Sequence, residues 1–292
     1  MLTADLLLFV VILPLAAPAL TAVLLTFASQ RVAKNVLPRV LPLLFAGGCV
    51  VAHVGRHGWP GQFPPLEAWQ WFPYIVAAAA ATGLWEANAR GFSWSRGATR
   101  LFLAVAIPVA LLARPYVIDV WSRNESAIHL SVLVLAMFIV LALWEYRRRD
   151  DASFADRGPA AVAAMATSGV LGLTGSVVLA ELAAAIAFSL IGLVLVSRLV
   201  CALPCPRAAV RTVACGLTGL AICGHYYSET TIPPLMLLGA APVAAVFAET
   251  RRVHESRAAI RALIRHGPTV LLCGAAVALA YAGAETPGAY VP

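Results

Sequence analysis

Glu181 is the acidic side chain of this sequence with the most chemical promise. It stands about five residues into an apolar run, roughly 7 Å along a helix that rises 1.5 Å per residue, and Leu182 to Ile186 continue the run. A carboxylate at that depth must face a cavity or a partner, or give up its charge. Two roles fit: a carboxylate that binds substrate or carries a coupling proton, and a residue close enough to the helix end to reach water. Further candidates are spread over the segments between apolar runs. Arg56, His57, Trp59, Phe63, Glu67 and Trp69 lie between residues 55 and 69; Arg114, Tyr116, Asp119, Arg123 and His129 occur further on; His225, Tyr226, Tyr227, Ser228 and Glu229 follow later. His and Glu are the usual carriers of acid–base chemistry. Convergence of His57, Arg114, His225 and Glu229 would build a membrane enzyme working at the outer leaflet. The same residue types also serve as an aromatic belt and as polar helix caps at a membrane interface.

No other chemistry is written in local spacing. Of the six cysteines, Cys201-Ala-Leu-Pro-Cys205 is the closest pair. A zinc site would add a second pair or histidines, so no metal is assigned, and the cysteines read as small apolar residues near helix ends. The sequence carries no nucleotide-binding loop or triad spacing and points to no cofactor. Asn124-Glu125-Ser126 has the form of a glycosylation acceptor and reads as chance in a bacterial protein.

The elements that position these residues follow from composition. The 292 residues are 61% hydrophobic and 12% charged, with mean hydropathy +0.84, whereas soluble domains hold about 25% charged residues. A bilayer accommodates that much apolar surface; a soluble fold of this length does not. Ten segments are long or apolar enough to be read as spans: 5–29, 36–54, 70–88, 99–119, 126–146, 158–174, 177–199, 208–225, 231–249 and 267–283. Each must be helical, because lipid offers backbone groups no hydrogen bonds. Residues 158–199 are too long for one crossing, and Thr174-Gly175-Ser176 supplies a tight turn. The fold class expected is therefore all-α: a polytopic integral membrane protein with ten transmembrane helices, one membrane domain over 1–292 and no soluble domain.

Charge gives the orientation. Eighteen of the 21 basic residues fall in every second gap between spans, and only Arg56, Arg114 and Arg123 fall in the others. Short basic loops stay cytoplasmic, which puts both chain ends outside, in the cell membrane and most simply a bacterial inner membrane. The +7 net charge is accounted for by that asymmetry, so nucleic acid is not an expected partner. Met1 to Asp5 has no basic residue ahead of the first apolar run, so that run reads as an uncleaved first span, despite Ala17-Pro18-Ala19. Trp85-Glu86 is followed by Arg90, Trp144-Glu145 by Arg149, and Phe247-x-Glu249 by Arg252. This pattern reads as interfacial anchors, with each Glu paired along its own helix to Arg; the functional alternative makes Glu86 or Glu145 an ion ligand.

The basic stretch from Tyr146 to Gly158 divides the chain into halves, 1–147 and 158–292, of five spans each. An odd number inverts the second half, the layout of many secondary transporters. Ala106-Ile-Pro108-Val109-Ala110 recurs as Ala240-Ala-Pro242-Val243-Ala244 at the corresponding place, as chance would also allow in a chain rich in Ala and Val. Pro14 and Pro18 in span 1 match Gly169 and Gly172 in span 6, and paired interruptions mark midplane binding sites; packing seams use the same residues. The function expected is a small-molecule secondary transporter with a binding site built from Glu181, Pro14, Pro18, Gly169, Gly172, Arg114, His225 and Glu229. The alternatives are a structural subunit of a larger membrane complex and the outer-leaflet enzyme. Expected partners are the lipid bilayer, a small-molecule substrate and other copies or subunits. Tags fused to Met1 and to Pro292 should both be reached by an impermeant protease added to intact spheroplasts; protection of either tag would break the assignment of sides.

Overall fold

The computed structural model describes residues 4–28, 36–88, 94–145, 153–248 and 258–284. Of the described residues 87% are helical, and no strand occurs among them. Helix α1 runs from Ala4–Leu6 through a π-helical stretch, Leu7–Ile12, into Leu13–Ala28. It is followed by α2 (Leu37–His57), α3 (Phe72–Asn88), α4 (Ser95–Leu112), α5 (Arg123–Glu145), α6 (Gly158–Leu173), α7 (Val177–Leu199), α8 (Arg207–Tyr227), α9 (Ile232–Ala248) and α10 (Ala258–Ala284). Helices thus occupy every apolar segment read from the sequence. Seven of them, in α1, α2, α4, α5, α7, α8 and α10, are long and apolar enough to cross a membrane; α6 and α9 are apolar but shorter.

The turns close as the local sequence requires. At the α6–α7 hairpin Gly175 takes φ +88°, a conformation that costs glycine little. The Gly175 N–H donates to the Gly172 carbonyl (3.1 Å) and the Ser176 N–H to the Leu171 carbonyl (3.0 Å), which caps the last carbonyls of α6. Ser168 Oγ donates across the hairpin to the Ala180 carbonyl at 2.8 Å.

Contacts between helix ends show an up-and-down bundle. At one end, the close of α3, the start of α4, the close of α5 and the start of α8 meet through Glu86, Arg100, Glu145 and Arg211. The segment before α6 joins that end, since the Phe154 N–H donates to the Leu203 carbonyl at 3.0 Å. We call this the basic end. At the opposite end Arg56, closing α2, meets Glu181 near the start of α7. There Tyr116, following α4, bonds the Tyr226 carbonyl near the close of α8, and Thr174 meets Thr230 at 2.9 Å.

Helix α8 is the hub, packed against α2, α3, α4, α5, α6, α7 and α9. Small residues let it approach so many neighbours: Gly216 lies against Ile186 of α7 and Val76 of α3, and Ala208 against Gly83 of α3. Helices α6, α9 and α10 enclose a second, smaller core around Val170, Leu238, Ala241 and Cys273. The periphery is apolar and outward-facing. Ile128, Val132, Leu135 and Ile139 of α5 are exposed at a spacing of three and four, a single helical face.

Two expectations are corrected. Helix α1 is unbroken across Pro14 and Pro18, and α6 is unbroken across Gly169 and Gly172. Proline removes one backbone donor and crowds the preceding turn. Here the π-helical Leu7–Ile12 turn directly before Pro14 widens the helix there, and the rod continues. Nor do α1 and α6 form a packed pair around a shared site: α7 packs against both. The α1–α7 contact is close. A Cβ added to Gly192 would be driven into the Leu15 carbonyl oxygen, whereas one added to Gly239 meets nothing within 4 Å. Gly192→Ala should therefore cost about 1–3 kcal/mol, the usual penalty of overpacking, and lower the Tm of the detergent-solubilised protein. Gly239→Ala should leave Tm unchanged or raised, and equal Tm values for the two variants would refute this close approach.

Candidate functional site

Two ionic clusters cap the bundle, one at each end. The first is built on the last two turns of α2. His53, Arg56 and His57 stand at i, i+3 and i+4, so all three point the same way, before Gly58 ends the helix with φ +80°. Helix α7 brings Glu181 to them, only 8% exposed. Arg56 Nε donates to Glu181 Oε2 at 3.1 Å and Arg56 Nη2 to Oε1 at 3.2 Å. This two-bond fork is the geometry in which a guanidinium holds a carboxylate best. His57 Nε2 lies 3.3 Å from Oε2, without the alignment of a hydrogen bond.

One turn deeper sits His53. It has no exposed surface, and neither ring nitrogen has a hydrogen-bond partner. Its ring lies 5.4 Å from Trp69, 5.7 Å from His57 and 6.3 Å from Phe72. A short 3₁₀ turn, Ala68–Trp71, carries Trp69 into place, and the Trp69 indole N–H donates to Glu67. A further turn down α2, Cys49 Sγ is 3.9 Å from Ser189 Oγ.

A separate aromatic cluster lies at the same end. Tyr116, Trp121, Tyr226 and Tyr227 pack edge to face or tilted, and His129 stacks on Trp121 at 4.6 Å. His225 Nδ1 is 2.9 Å from the Thr230 carbonyl, and its ring packs against Tyr226.

The second ionic cluster closes the basic end. Arg211 has no exposed surface. Its Nη1 is 2.7 Å from Glu86 Oε1 and 3.0 Å from Thr99 Oγ1; its Nη2 is 3.0 Å from Glu86 Oε2 and 3.1 Å from Glu145 Oε2; its Nε donates to Glu145 Oε1. A guanidinium has five N–H donors, and these contacts use them all. Arg100 adds a second cation, with Nη2 2.8 Å from Glu145 Oε2. Two guanidinium groups face two carboxylates, so the cluster is neutral as well as saturated.

The pairing expected for the anchors, with Arg90, Arg149 and Arg252, falls outside the described residues, as does Glu249. Among the described residues Glu86 and Glu145 meet Arg211 and Arg100, on other helices. Glu145 is 2% exposed. A buried carboxylate is held by the nearest desolvated cation, and α8 carries that cation into the bundle.

Of the residues read from the sequence, Glu181 and His57 come together. Pro18 packs more than two helical turns deeper, its ring next to Gly48 beside Ser189, while Pro14 is buried in α1. Arg114 is exposed in the π-helical stretch Ala113–Ile118. His225 belongs to the aromatic cluster, and Glu229 is exposed in the α8–α9 turn with φ 52°. Gly169 faces Val277 of α10, and Gly172 faces Ala180 of α7. Of the four residues for which an enzyme was considered, His57 lies in the Glu181 cluster and His225 in the aromatic cluster. Sequence reading missed His53 and Arg211. The His53/His57 spacing and an arginine one turn inside an apolar segment were the available signals. All six cysteines are free, and among the described residues no group of three or more His, Cys, Asp or Glu is arranged to hold a metal ion.

No protein-family model, curated protein or solved structure matches this chain. The basic-end network yields its own test. Removing one member of a buried ion pair costs about 3–5 kcal/mol. Arg211→Met should collapse the monodisperse peak of the detergent-extracted protein in size-exclusion chromatography. The triple variant Arg211→Met, Glu86→Gln, Glu145→Gln should restore much of it. A well-behaved single variant would contradict the network's role.

Proposed function

We propose that this chain is a small-molecule secondary transporter of a bacterial inner membrane, with its polar centre at Glu181. It crosses the membrane ten times with both ends outside, which puts the basic end in the cytoplasm and the Glu181 cluster toward the exterior. The three helices under eighteen residues cross with the longer ones around them. Helices of 16 and 17 residues, α6 and α3, reach about 24–26 Å at 1.5 Å per residue, and a bilayer thins by a few ångströms at modest cost. Packing of α2 on α7 and of α3 on α8 fits a five-plus-five layout, whereas the α1–α7 and α6–α10 packings lack comparable α6–α2 and α1–α5 counterparts among the described residues.

One observation carries the reading: a fully buried imidazole with both nitrogens unpartnered stands next to an ionised Glu–Arg pair in an otherwise apolar interior. Ionisable groups inside a membrane protein are expensive to keep and mark paths for ions and substrates. A purely structural cluster would resemble the basic end, where Arg211 uses all of its donors. The outer-leaflet enzyme and the structural subunit lack a comparable supporting observation.

The test uses purified protein in pyranine-loaded proteoliposomes, challenged in turn with amino acids, sugars, carboxylates and amines under an imposed pH gradient. At least one class should dissipate the gradient. Glu181→Gln should reduce that flux to the level of empty liposomes while the folded yield stays at the wild-type value. If no class moves, transport is refuted; full flux through Glu181→Gln removes Glu181 from the mechanism.

A further inference from the structure

We infer that the Glu181 cluster is a proton-linked binding site for a small organic carboxylate, in which the incoming carboxylate replaces that of Glu181 on Arg56. This deepens the transporter reading and rests on it for the direction of movement. The binding step stands on the site alone.

The protein displays its own mould for the ligand. Arg56 holds the Glu181 carboxylate through two roughly parallel bonds, of 3.1 and 3.2 Å, and a planar fork of this kind selects a carboxylate by shape as well as charge. Around that fork are groups that Glu181 does not use. His57 Nε2 is within 3.3 Å of the same carboxylate but out of alignment. The buried His53 has two free nitrogens one helical turn deeper. A buried polar atom without a partner costs roughly 1–3 kcal/mol, so a ligand that hydrogen-bonds it recovers that cost. Trp69 and Phe72 flank His53 and give an apolar wall for the organic part of the ligand.

The proton follows from charge balance. At rest the fork is a neutral pair of Arg56 cation and Glu181 anion. Arg56 is about a third exposed, but Glu181 is only 8% exposed; displaced from the guanidinium as an anion, it would be a buried unpaired charge beside a second carboxylate, which is strongly disfavoured. Transfer of one proton from water to Glu181 turns its carboxylate into a neutral acid, frees the guanidinium and lets the ligand carboxylate take its place. One cation and one anion remain.

Other titratable groups face Glu181, and His57 is the nearest alternative acceptor, its Nε2 3.3 Å from the carboxylate; the pH slope of Glu181→Gln separates the two. From α2 come Arg56, His57 and His53. From α1, Asp5 adds a negative charge felt by Arg56. Helix α6 has no titratable side chain in its sequence, and faces α7 with the Ser168 hydroxyl. At this end α8 carries Cys223, His225, Tyr226 and Tyr227, of which His225 is bonded to Thr230. Glu67 is engaged with Trp69.

The experiment measures binding of acetate, lactate and benzoate to the purified protein by calorimetry between pH 5.5 and 8, with methylammonium and glycerol as controls. Flux is measured in phosphatidylcholine liposomes, whose headgroups lack a carboxylate. Wild type should bind at least one of the three carboxylates, with Kd falling about tenfold per unit as pH falls, the slope of one linked proton. Glu181→Gln should bind that carboxylate at pH 8 at least about tenfold more tightly than wild type, a gain of about 1.4 kcal/mol, with no pH slope and no flux. Arg56→Gln should not bind it. His53→Phe should weaken binding several-fold and keep the slope.

Failure of folded wild type and folded Glu181→Gln to bind any of the three carboxylates overturns the inference, as does equal binding of the controls. A pH slope retained in Glu181→Gln also overturns it, because the proton would then sit elsewhere. Binding with these signatures but no uptake would refute transport and leave the site standing. Flux of an amine or sugar without carboxylate binding would do the reverse.

Discussion

Arg211 is a full positive charge with no surface exposed to water, and the packing of this bundle is consistent only if that charge is matched where it lies. Removing a guanidinium from water costs several kilocalories per mole even after relaxation. Glu86 of α3 and Glu145 of α5 offset that cost, Thr99 of α4 completes the donor set, and Arg100 balances the second carboxylate. Three helices are thereby tied to one atom group on α8, the helix at the centre of the bundle. Apolar contacts between Ala, Val and Leu specify rotation and depth poorly, since many slid or turned arrangements bury similar area. A five-donor fork that must meet two carboxylates tolerates few of them. The ionic network therefore selects one packing of α3, α4, α5 and α8 from many that the apolar surfaces would allow.

The opposite end contains the same chemical types in a different state. Arg56 and Glu181 form a two-bond pair as good as any at the basic end, but the histidines beside it are not satisfied. That contrast separates a cluster that fastens from one that is prepared to exchange partners. In the first, the buried Arg211 uses all of its donors, and replacement of either carboxylate leaves a charge stranded. In the second, unused nitrogens are already buried, so their desolvation has been met before a ligand arrives. Preorganisation of this kind raises affinity by lowering what binding must supply. Position fits the difference: the saturated cluster lies beneath the basic loops, and the unsaturated one lies where those loops are absent.

Much of the architecture was legible because hydropathy and backbone hydrogen bonding are local. Each apolar segment formed a helix, and Gly175 placed the α6–α7 turn where an apolar stretch was too long for one rod. The alternation of basic residues was legible for the same reason, since it follows from segment order. Partner choice between helices was not legible. Glu86 and Glu145 each had an arginine four residues on, and sequence alone offers that neighbour before any other. The partners in the fold, Arg100 and Arg211, are 45 and 66 positions from Glu145, and only tertiary packing brings them near. Glu181 could be flagged from depth alone, but Arg56 is 125 positions away. Pro14 and Pro18 misled for a further reason. Whether proline breaks a helix depends on what the preceding turn can absorb: a π-helical stretch precedes Pro14, and the α-helix runs on through Pro18.

A carboxylate site in this interior has one further physical requirement, which the Glu181 cluster meets. The surroundings are so poor in polar groups that net charge, more than individual hydrogen bonds, decides which occupied states are accessible. Arg56 is about a third exposed, so the deciding group is Glu181, 8% exposed: as an anion displaced from the fork it would be a buried unpaired charge. Two carboxylates on one guanidinium would also repel each other. The two accessible states are those with one anion on the fork, either Glu181 or the ligand. Proton and carboxylate must then enter and leave together, with no structural gate needed to enforce the coupling. The coupling arises from the low polarity of the bundle itself, the same property that obliges Arg211 to keep both of its partners at the other end.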